Sequence, residues 1–173
     1  LLEREGGHLV TGFVGTPYFT FSLSENGRLQ EAYALLLRDD FPSWLYQVKM
    51  GATTVWEHWD GIRPDGSMWS ADMNSFNHYS YGSVGKWMFS VIGGMDADEA
   101  CPGYRRVRIA PRMGGGLTYA RTKYRSLYGD VCVAWENQGD SLVVTIEVPC
   151  NAEAVIDLSP YGIADGGGLD FLK

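Results

Sequence analysis

The sequence has few cysteines, no long apolar run and no excess of basic charge. Cys101, Cys132 and Cys150 are an odd set at wide spacings, and no CxxC pair occurs. A structural zinc site needs closely spaced soft ligands, so neither a metal nor another cofactor is expected. The thiols read as small, indifferent side chains that neither require nor exclude an oxidising compartment. No apolar stretch approaches the ~20 residues of a membrane-spanning helix, so no membrane partner is expected. Fourteen Lys and Arg stand against 21 Asp and Glu, a formal charge of −7. That balance lacks the cationic face a phosphate backbone demands, which argues against nucleic acid. The start, Leu1-Leu2-Glu3-Arg4-Glu5-Gly6-Gly7, lacks a Met and the charged and apolar regions of a signal peptide. It is expected to lie inside a longer chain, and localisation stays open. No GxSxG elbow occurs, and Gly114-Gly115-Gly116 lacks the Lys-Ser/Thr of a phosphate loop.

What is abundant is aromatic. Six Trp, ten Tyr and seven Phe occur, and four of the Trp stand at 44, 56, 59 and 69. Such rings either bury large areas in a core or lie flat against the C–H faces of sugars. With 173 residues, 45% of them apolar, the chain can form one large domain or two small ones around packed cores.

The pattern changes character near residue 100. A first helix is expected after Ser22 or Ser24, with Leu29, Tyr33, Leu36 and Leu37 on one face. Asp39-Asp40-Phe41-Pro42 argues against its continuation. A short helix from Ser43 through Met50 follows, with Trp44, Leu45 and Val48 apolar and Gly51 as its stop. Residues 51–77 form a long loop with turn signals at Asp60-Gly61 and Asp65-Gly66. A third helix from about Asn77 to Ile92 carries an inward stripe of Tyr81, Val84, Met88 and Val91, and Gly93-Gly94 ends it. Beyond Pro102 the period becomes two. Val131, Val133 and Trp135 alternate, as do Leu142, Val144 and Ile146, and then Ala154, Ile156 and Leu158. With Val107–Ile109 and Leu117–Tyr119 these segments predict a small antiparallel β-sandwich. The tail from Pro160, with Gly166-Gly167-Gly168, reads as loose or as a truncated strand. Three helices with long loops cannot enclose a core, so the first part is expected to belong to a larger helical domain.

Glu57 stands between two indoles in Trp56-Glu57-His58-Trp59-Asp60. A carboxylate in such surroundings is either a catalytic acid, base or nucleophile, or a structural hydrogen-bond acceptor. Asp60 and Asp65, each followed by Gly, are first of all turn residues. His78, in Ser75-Phe76-Asn77-His78-Tyr79, either donates to a sugar hydroxyl or satisfies a nearby carbonyl. His8, His58 and His78 share no ligand spacing with a Cys, which disfavours a metal site.

Four blocks together resemble bacterial-type α-L-rhamnosidases. They are His8-Leu9-Val10-Thr11-Gly12-Phe13-Val14-Gly15-Thr16-Pro17-Tyr18, Gly51-Ala52-Thr53-Thr54-Val55-Trp56-Glu57-His58-Trp59-Asp60-Gly61, the segment from Met73 through Gly85, and Ile109-Ala110-Pro111-Arg112-Met113-Gly114-Gly115-Gly116-Leu117. The blocks come in the family's order, and the resemblance covers about residues 8–158. It implies a multi-domain protein, helical and then β. Residues 1–97 would be the closing helices of a six-hairpin α/α barrel, and 98–173 a C-terminal antiparallel β-sandwich. It further implies hydrolysis of terminal α-linked L-rhamnose with inversion, with Glu57 as general base. His78 would contact the rhamnose in a cleft shared with Glu57, and the flanking Trp56 and Trp59 are candidate sugar contacts. The partners implied are a rhamnose-containing glycoside or oligosaccharide and the remaining N-terminal part of the same polypeptide. The family's general acid lies upstream, in a segment without a match here, so the fragment alone is expected to be inactive. His58 departs from the Arg common at that place in the family, and the sandwich diverges after Ser159. A non-catalytic carbohydrate-binding protein on the same fold is the alternative.

Overall fold

The computed structural model describes residues 2–162. They fall into two compact units, Leu1–Trp87 and Met88–Lys173, helical first and β second. The order of helices followed by strands agrees with the change of period in the sequence.

In the first unit the single helix expected after Ser22 or Ser24 is two. α1 spans Thr16–Glu25 and α2 spans Leu29–Leu37, with Gly27 at φ +74° between them. Pro17 suits the first turn of α1, where its missing N–H costs nothing. The Thr16 hydroxyl donates towards the Thr11 and Gly12 carbonyls at 3.1 and 2.9 Å. Ser24 is therefore no N-cap. It lies in the last turn of α1, where its hydroxyl donates to Thr20 O at 2.8 Å and accepts the Trp87 indole N–H at 2.9 Å. On α2 the buried face is Ala32, Tyr33, Leu35 and Leu36, and Leu37 faces out.

α3 spans Trp44–Lys49, and the Ser43 hydroxyl caps it by accepting from Tyr46 N at 3.0 Å. Such a cap contributes roughly 1 kcal/mol. Gly51 follows in the left-handed conformation, φ +90°, and stops the helix as expected. Val48, expected on the apolar side, is exposed, and Gln47 is buried in its stead. A 3₁₀ turn at Ser80–Ser83 and the short helix α4, Val84–Trp87, close the unit. Helical structure thus starts three residues later than the expected Asn77. A cluster of Leu9, Leu35, Trp59 and Tyr81 forms the core, with Phe19, Leu23, Trp44 and Val55 against it.

The second unit opens with a π-helical turn at Met88–Ile92, closed by Gly93 N donating to Met88 O at 2.8 Å. The wider turn shifts the side-chain phase, so Ile92 is buried while Met88, expected to point inward, is 44% exposed. Gly94, at φ +70°, lies so close to Pro111 that an added Cβ would meet its backbone nitrogen at 2.3 Å.

Two three-stranded sheets follow. One has the order β1-β2-β6, with β1 Met95–Ala97, β2 Arg106–Ile109 and β6 Glu153–Ile156. The other has the order β3-β4-β5, with β3 Tyr119–Ser126, β4 Gly129–Asn137 and β5 Leu142–Glu147. Three of the pairings are antiparallel, but β2 and β6 run parallel, which corrects the expectation of a purely antiparallel arrangement. Alternation and hairpin turns identify strands and their sequential neighbours. They do not say where a strand after a non-hairpin turn, such as Pro149 to Ala152, will lie.

Val131, Val133 and Trp135 are fully buried, and Leu142, Val144 and Ile146 are half-buried, as the alternation predicts. Ile156 is exposed while Leu158 is buried. Met95, Val107, Ile109, Val131 and Val133, drawn from both sheets, share one core. The glycines 166–168 lie outside the described residues.

Candidate functional site

The site is built in the first unit on the long loop between α3 and the Ser80–Ser83 turn. Two of its segments clasp each other through the main chain. Glu57 N donates to Ser75 O at 2.9 Å, and His78 N donates to Val55 O at 2.8 Å. Ser75 N in turn donates to Glu57 Oε2 at 3.0 Å, and the Thr54 hydroxyl donates to Phe76 O. The two residues singled out in the sequence, Glu57 and His78, therefore stand on paired segments although 21 positions separate their numbers. The other carboxylate oxygen of Glu57 accepts no hydrogen bond from the described residues.

The loop folds this way because Gly61 and the buried Gln47 amide of α3 allow it. Gly61 accepts from Asn74 Nδ2 at 2.8 Å and from Trp69 N at 3.2 Å. A Cβ at Gly61 would meet Trp56 at 3.0 Å and both Asn74 and Phe76 at 3.3 Å, so only glycine lets the segments approach. Gln47, on α3, donates to His58 O at 3.0 Å and faces Trp56 N at 3.5 Å. Sequence reasoning missed it. The available signal was a lone amide amid Trp44, Leu45, Tyr46 and Val48. The two Asp-Gly pairs are turns, as expected. Asp60 accepts from Arg63 Nε at 3.4 Å. Asp65 accepts from the Ser67 hydroxyl and N–H at 2.7 and 2.9 Å, and these bonds hold its carboxyl below the usual carboxylate range.

The indoles flanking Glu57 are not open platforms. Trp56 is 3% and Trp59 9% exposed. Trp56 meets the Phe76 ring edge-on at 5.3 Å. Trp59 stacks on Tyr81 at 3.8 Å and meets Trp44 edge-on at 5.3 Å. Burial pushes the Tyr81 phenol up. Trp69, by contrast, is 39% exposed and stacks on His58 at 3.7 Å. The ring of His78 is flanked by Phe13, 4.7 Å away with planes 23° apart, and by Tyr79 at 5.6 Å. Its Nδ1 accepts from Ser80 N at 3.4 Å.

Among the described residues no group of three or more His, Cys, Asp and Glu could hold a metal ion, and no helix is long and apolar enough to cross a membrane. The arrangement offers a carboxylate with one oxygen anchored and one open, and, on the paired segment, an imidazole whose Nδ1 is engaged. A carboxylate with one oxygen fixed and one open can accept a proton at the open oxygen, and an imidazole with one nitrogen engaged can donate from the other.

Residues 1–92 match the bacterial alpha-L-rhamnosidase six-hairpin glycosidase domain, and residues 94–164 match the C-terminal domain of the same enzymes. The Streptomyces avermitilis alpha-L-rhamnosidase, solved in complex with L-rhamnose, is 45% identical with a TM-score of 0.84; the match covers 90% of this chain and 15% of that one. The alfa-L-rhamnosidase of Aspergillus terreus is 40% identical with a TM-score of 0.84, covering 90% of this chain and 18% of that one. An alpha-L-rhamnosidase of Formosa agariphila is 38% identical over 91% of this chain and 17% of its own length. The chain thus spans less than a fifth of the relatives it matches. From its motifs, its helices-then-strands order and these matches, the chain belongs to the bacterial α-L-rhamnosidase family of glycoside hydrolases.

Proposed function

We propose that the chain is the C-terminal part of an enzyme that removes terminal α-linked L-rhamnose with inversion, and that Glu57 is its general base. One observation carries this reading. Glu57 is anchored through one carboxylate oxygen, its second oxygen is left open, and the segment that anchors it leads straight into His78. A base must present a lone pair to water while its position is fixed, and this division of its two oxygens does both. His78 contacts the rhamnose from the same cleft, and an L-rhamnose complex of a relative 45% identical supports a sugar ligand here. Trp56 and Trp59, buried as they are, serve by fixing the backbone on either side of Glu57 and not as exposed platforms.

Inversion requires an acid on the far side of the sugar, roughly 6.5–9.5 Å from the base. We place that acid in a part of the protein outside this chain. The first unit then supplies the closing helices of a six-hairpin α/α barrel, and the second is a β-sandwich. The division between them is proposed near residue 97, and β1, Met95–Ala97, pairs with β2 at that junction.

Proton NMR of the first-formed rhamnose from the complete enzyme tests the reading. Release as the β-anomer, before mutarotation, is expected. Release as the α-anomer means retention and removes Glu57 from the role of base in a single displacement. Rhamnose binding with no turnover in the complete protein favours a non-catalytic carbohydrate-binding protein instead.

A further inference from the structure

The turn ahead of α1 belongs to a motif that the proposed chemistry leaves unused. Thr11 through Gly15 is fixed by Gly15 N and Thr16 N, which both donate to Gly12 O at 3.1 and 3.0 Å, and by the Thr16 hydroxyl. A Cβ on Gly15 would sit 3.0 Å from Thr11 Cβ, so the turn is tight. What it presents is Phe13, an apolar ring left 39% exposed. One face of that ring lies on His78 at 4.7 Å, and it meets Tyr81 at 5.2 Å and 61°. Tyr81 is itself held by Trp59, so the imidazole rests on a row of aromatic rings rooted in the core of the unit.

A backbone N–H can only donate. Ser80 N, 3.4 Å from His78 Nδ1, therefore faces a lone pair, and the proton of the neutral ring sits on Nε2. Nε2 takes no partner among the described residues. The Ser80 contact is too long to fix the ring by itself. A stacked aromatic adds an attraction of comparable size and removes the freedom of the ring to swing about χ2.

We propose that Phe13 is a positioning residue for substrate recognition. It holds the His78 imidazole so that the Nε2–H is aimed as a donor at a hydroxyl of the sugar. The inference rests on the reading of His78 as a sugar contact. Phe13 acts through His78 and takes no part in the proton transfer at Glu57.

The test uses the complete enzyme with an aryl α-L-rhamnoside, and calorimetry with free L-rhamnose. Phe13→Leu and Phe13→Met both fill the volume without offering a flat face. Phe13→Tyr keeps the face. Each is made alone, and Phe13→Leu and Phe13→Met are also combined with His78→Ala. Leu and Met are expected to raise KM and the rhamnose Kd by about 3- to 10-fold, the scale of one neutral hydrogen bond, with kcat changed less. Tyr is expected to restore both constants, and the double variants to be no worse than His78→Ala alone. Losses that multiply in the double variants, a Tyr variant as impaired as Leu, or no change with Leu and Met overturns the role of Phe13 while leaving His78 as a sugar contact. An unchanged rhamnose Kd in His78→Ala, with turnover still lost in Glu57→Gln, overturns the sugar contact itself and the proposal with it.

Discussion

Glu57 and Ser75 are joined twice: the Glu57 N–H donates to the Ser75 carbonyl at 2.9 Å, and the Ser75 N–H donates to Glu57 Oε2 at 3.0 Å. The carboxylate is thus held by main chain, and the serine hydroxyl is not among its partners. Glu57→Gln keeps an oxygen for the Ser75 N–H, but its amide cannot take a proton from water. In the complete enzyme we expect kcat to fall by about 10²–10⁴-fold, the usual share of a general base, with rhamnose affinity nearly unchanged by calorimetry. Ser75→Ala keeps the N–H and should leave kcat within a few-fold. A comparable loss in both variants would mean that the hydroxyl, not the main chain, matters.

Gly61→Ala brings a methyl to 3.0 Å from Trp56 and 3.3 Å from Asn74 and Phe76. Two of those neighbours are ring carbons packed in the loop, so the segment must shift. Overpacking of this kind costs about 1–3 kcal/mol. The shift falls on the segments that carry Glu57 and Ser75. We expect a drop in kcat/KM well beyond tenfold at a melting temperature only a few degrees lower. Full activity with an unchanged melting point would show that the loop has more room than the packing allows.

The share of this that the sequence makes legible follows from what each signal measures. A short helix beginning at Ser43, Gly51 as its stop and the buried alternation of Val131, Val133 and Trp135 are local signals, and each is seen in the structure. α1 was invisible because its buried positions, Thr16 and Thr20, are polar, while Phe19, Phe21 and Leu23 follow a period of two, and the Thr16 and Ser24 hydroxyls bond back to the preceding turn. β3 was invisible beyond Tyr119 because among the described residues it is an edge strand, and its Arg121, Lys123 and Arg125 break the apolar alternation with charges that suit an edge. In the candidate site, the residue types of Glu57 and His78 were legible. Their pairing through Ser75 and Val55 is main-chain chemistry, and no side-chain pattern reports it. The burial of Trp56 and Trp59 was equally hidden, since an indole suits a core and a sugar face alike.

Asp157 gives a pH dependence with a definite sign. It accepts from the Ser159 hydroxyl and N–H at 2.5 and 3.1 Å and from Arg112 at 3.0 Å. Those bonds, the Ser159 hydroxyl first, hold its carboxyl below the usual range. A lowered folded pKa means stability that is present above the unfolded value, about 3.9, and lost as pH falls through the folded one. Asp157→Asn should therefore weaken protection around residues 156–162 at neutral pH, and parent and variant should converge in strong acid. Hydrogen exchange of that segment at several pH values in the complete protein measures it. A gap that widens towards low pH would reverse the sign and refute the assignment.

Tyr104 is the one non-glycine residue among those described with positive φ, at 62°. Its ring stacks on Tyr124 at 4.0 Å and packs against the core of the second unit, and burial pushes its phenol up. Two opposing effects act at this position. The left-handed backbone costs an L-residue roughly 1–2 kcal/mol, while the ring contributes packing that alanine and glycine both lose. Tyr104→Phe keeps the ring and should lie within about 0.5 kcal/mol of the parent. Tyr104→Ala and Tyr104→Gly should both be less stable, but in an unusual order. Glycine normally destabilises relative to alanine by enlarging the entropy of the unfolded chain. Here the relief of a strained φ outweighs that entropy, so Tyr104→Gly should exceed Tyr104→Ala by about 1 kcal/mol. Denaturant dependence of hydrogen exchange over residues 95–109, which include β1 and β2, reads the difference within one site, so the common loss of the ring cancels. An alanine variant more stable than the glycine one would mean that the backbone at this position is not held left-handed, and that the stack on Tyr124 is reached some other way.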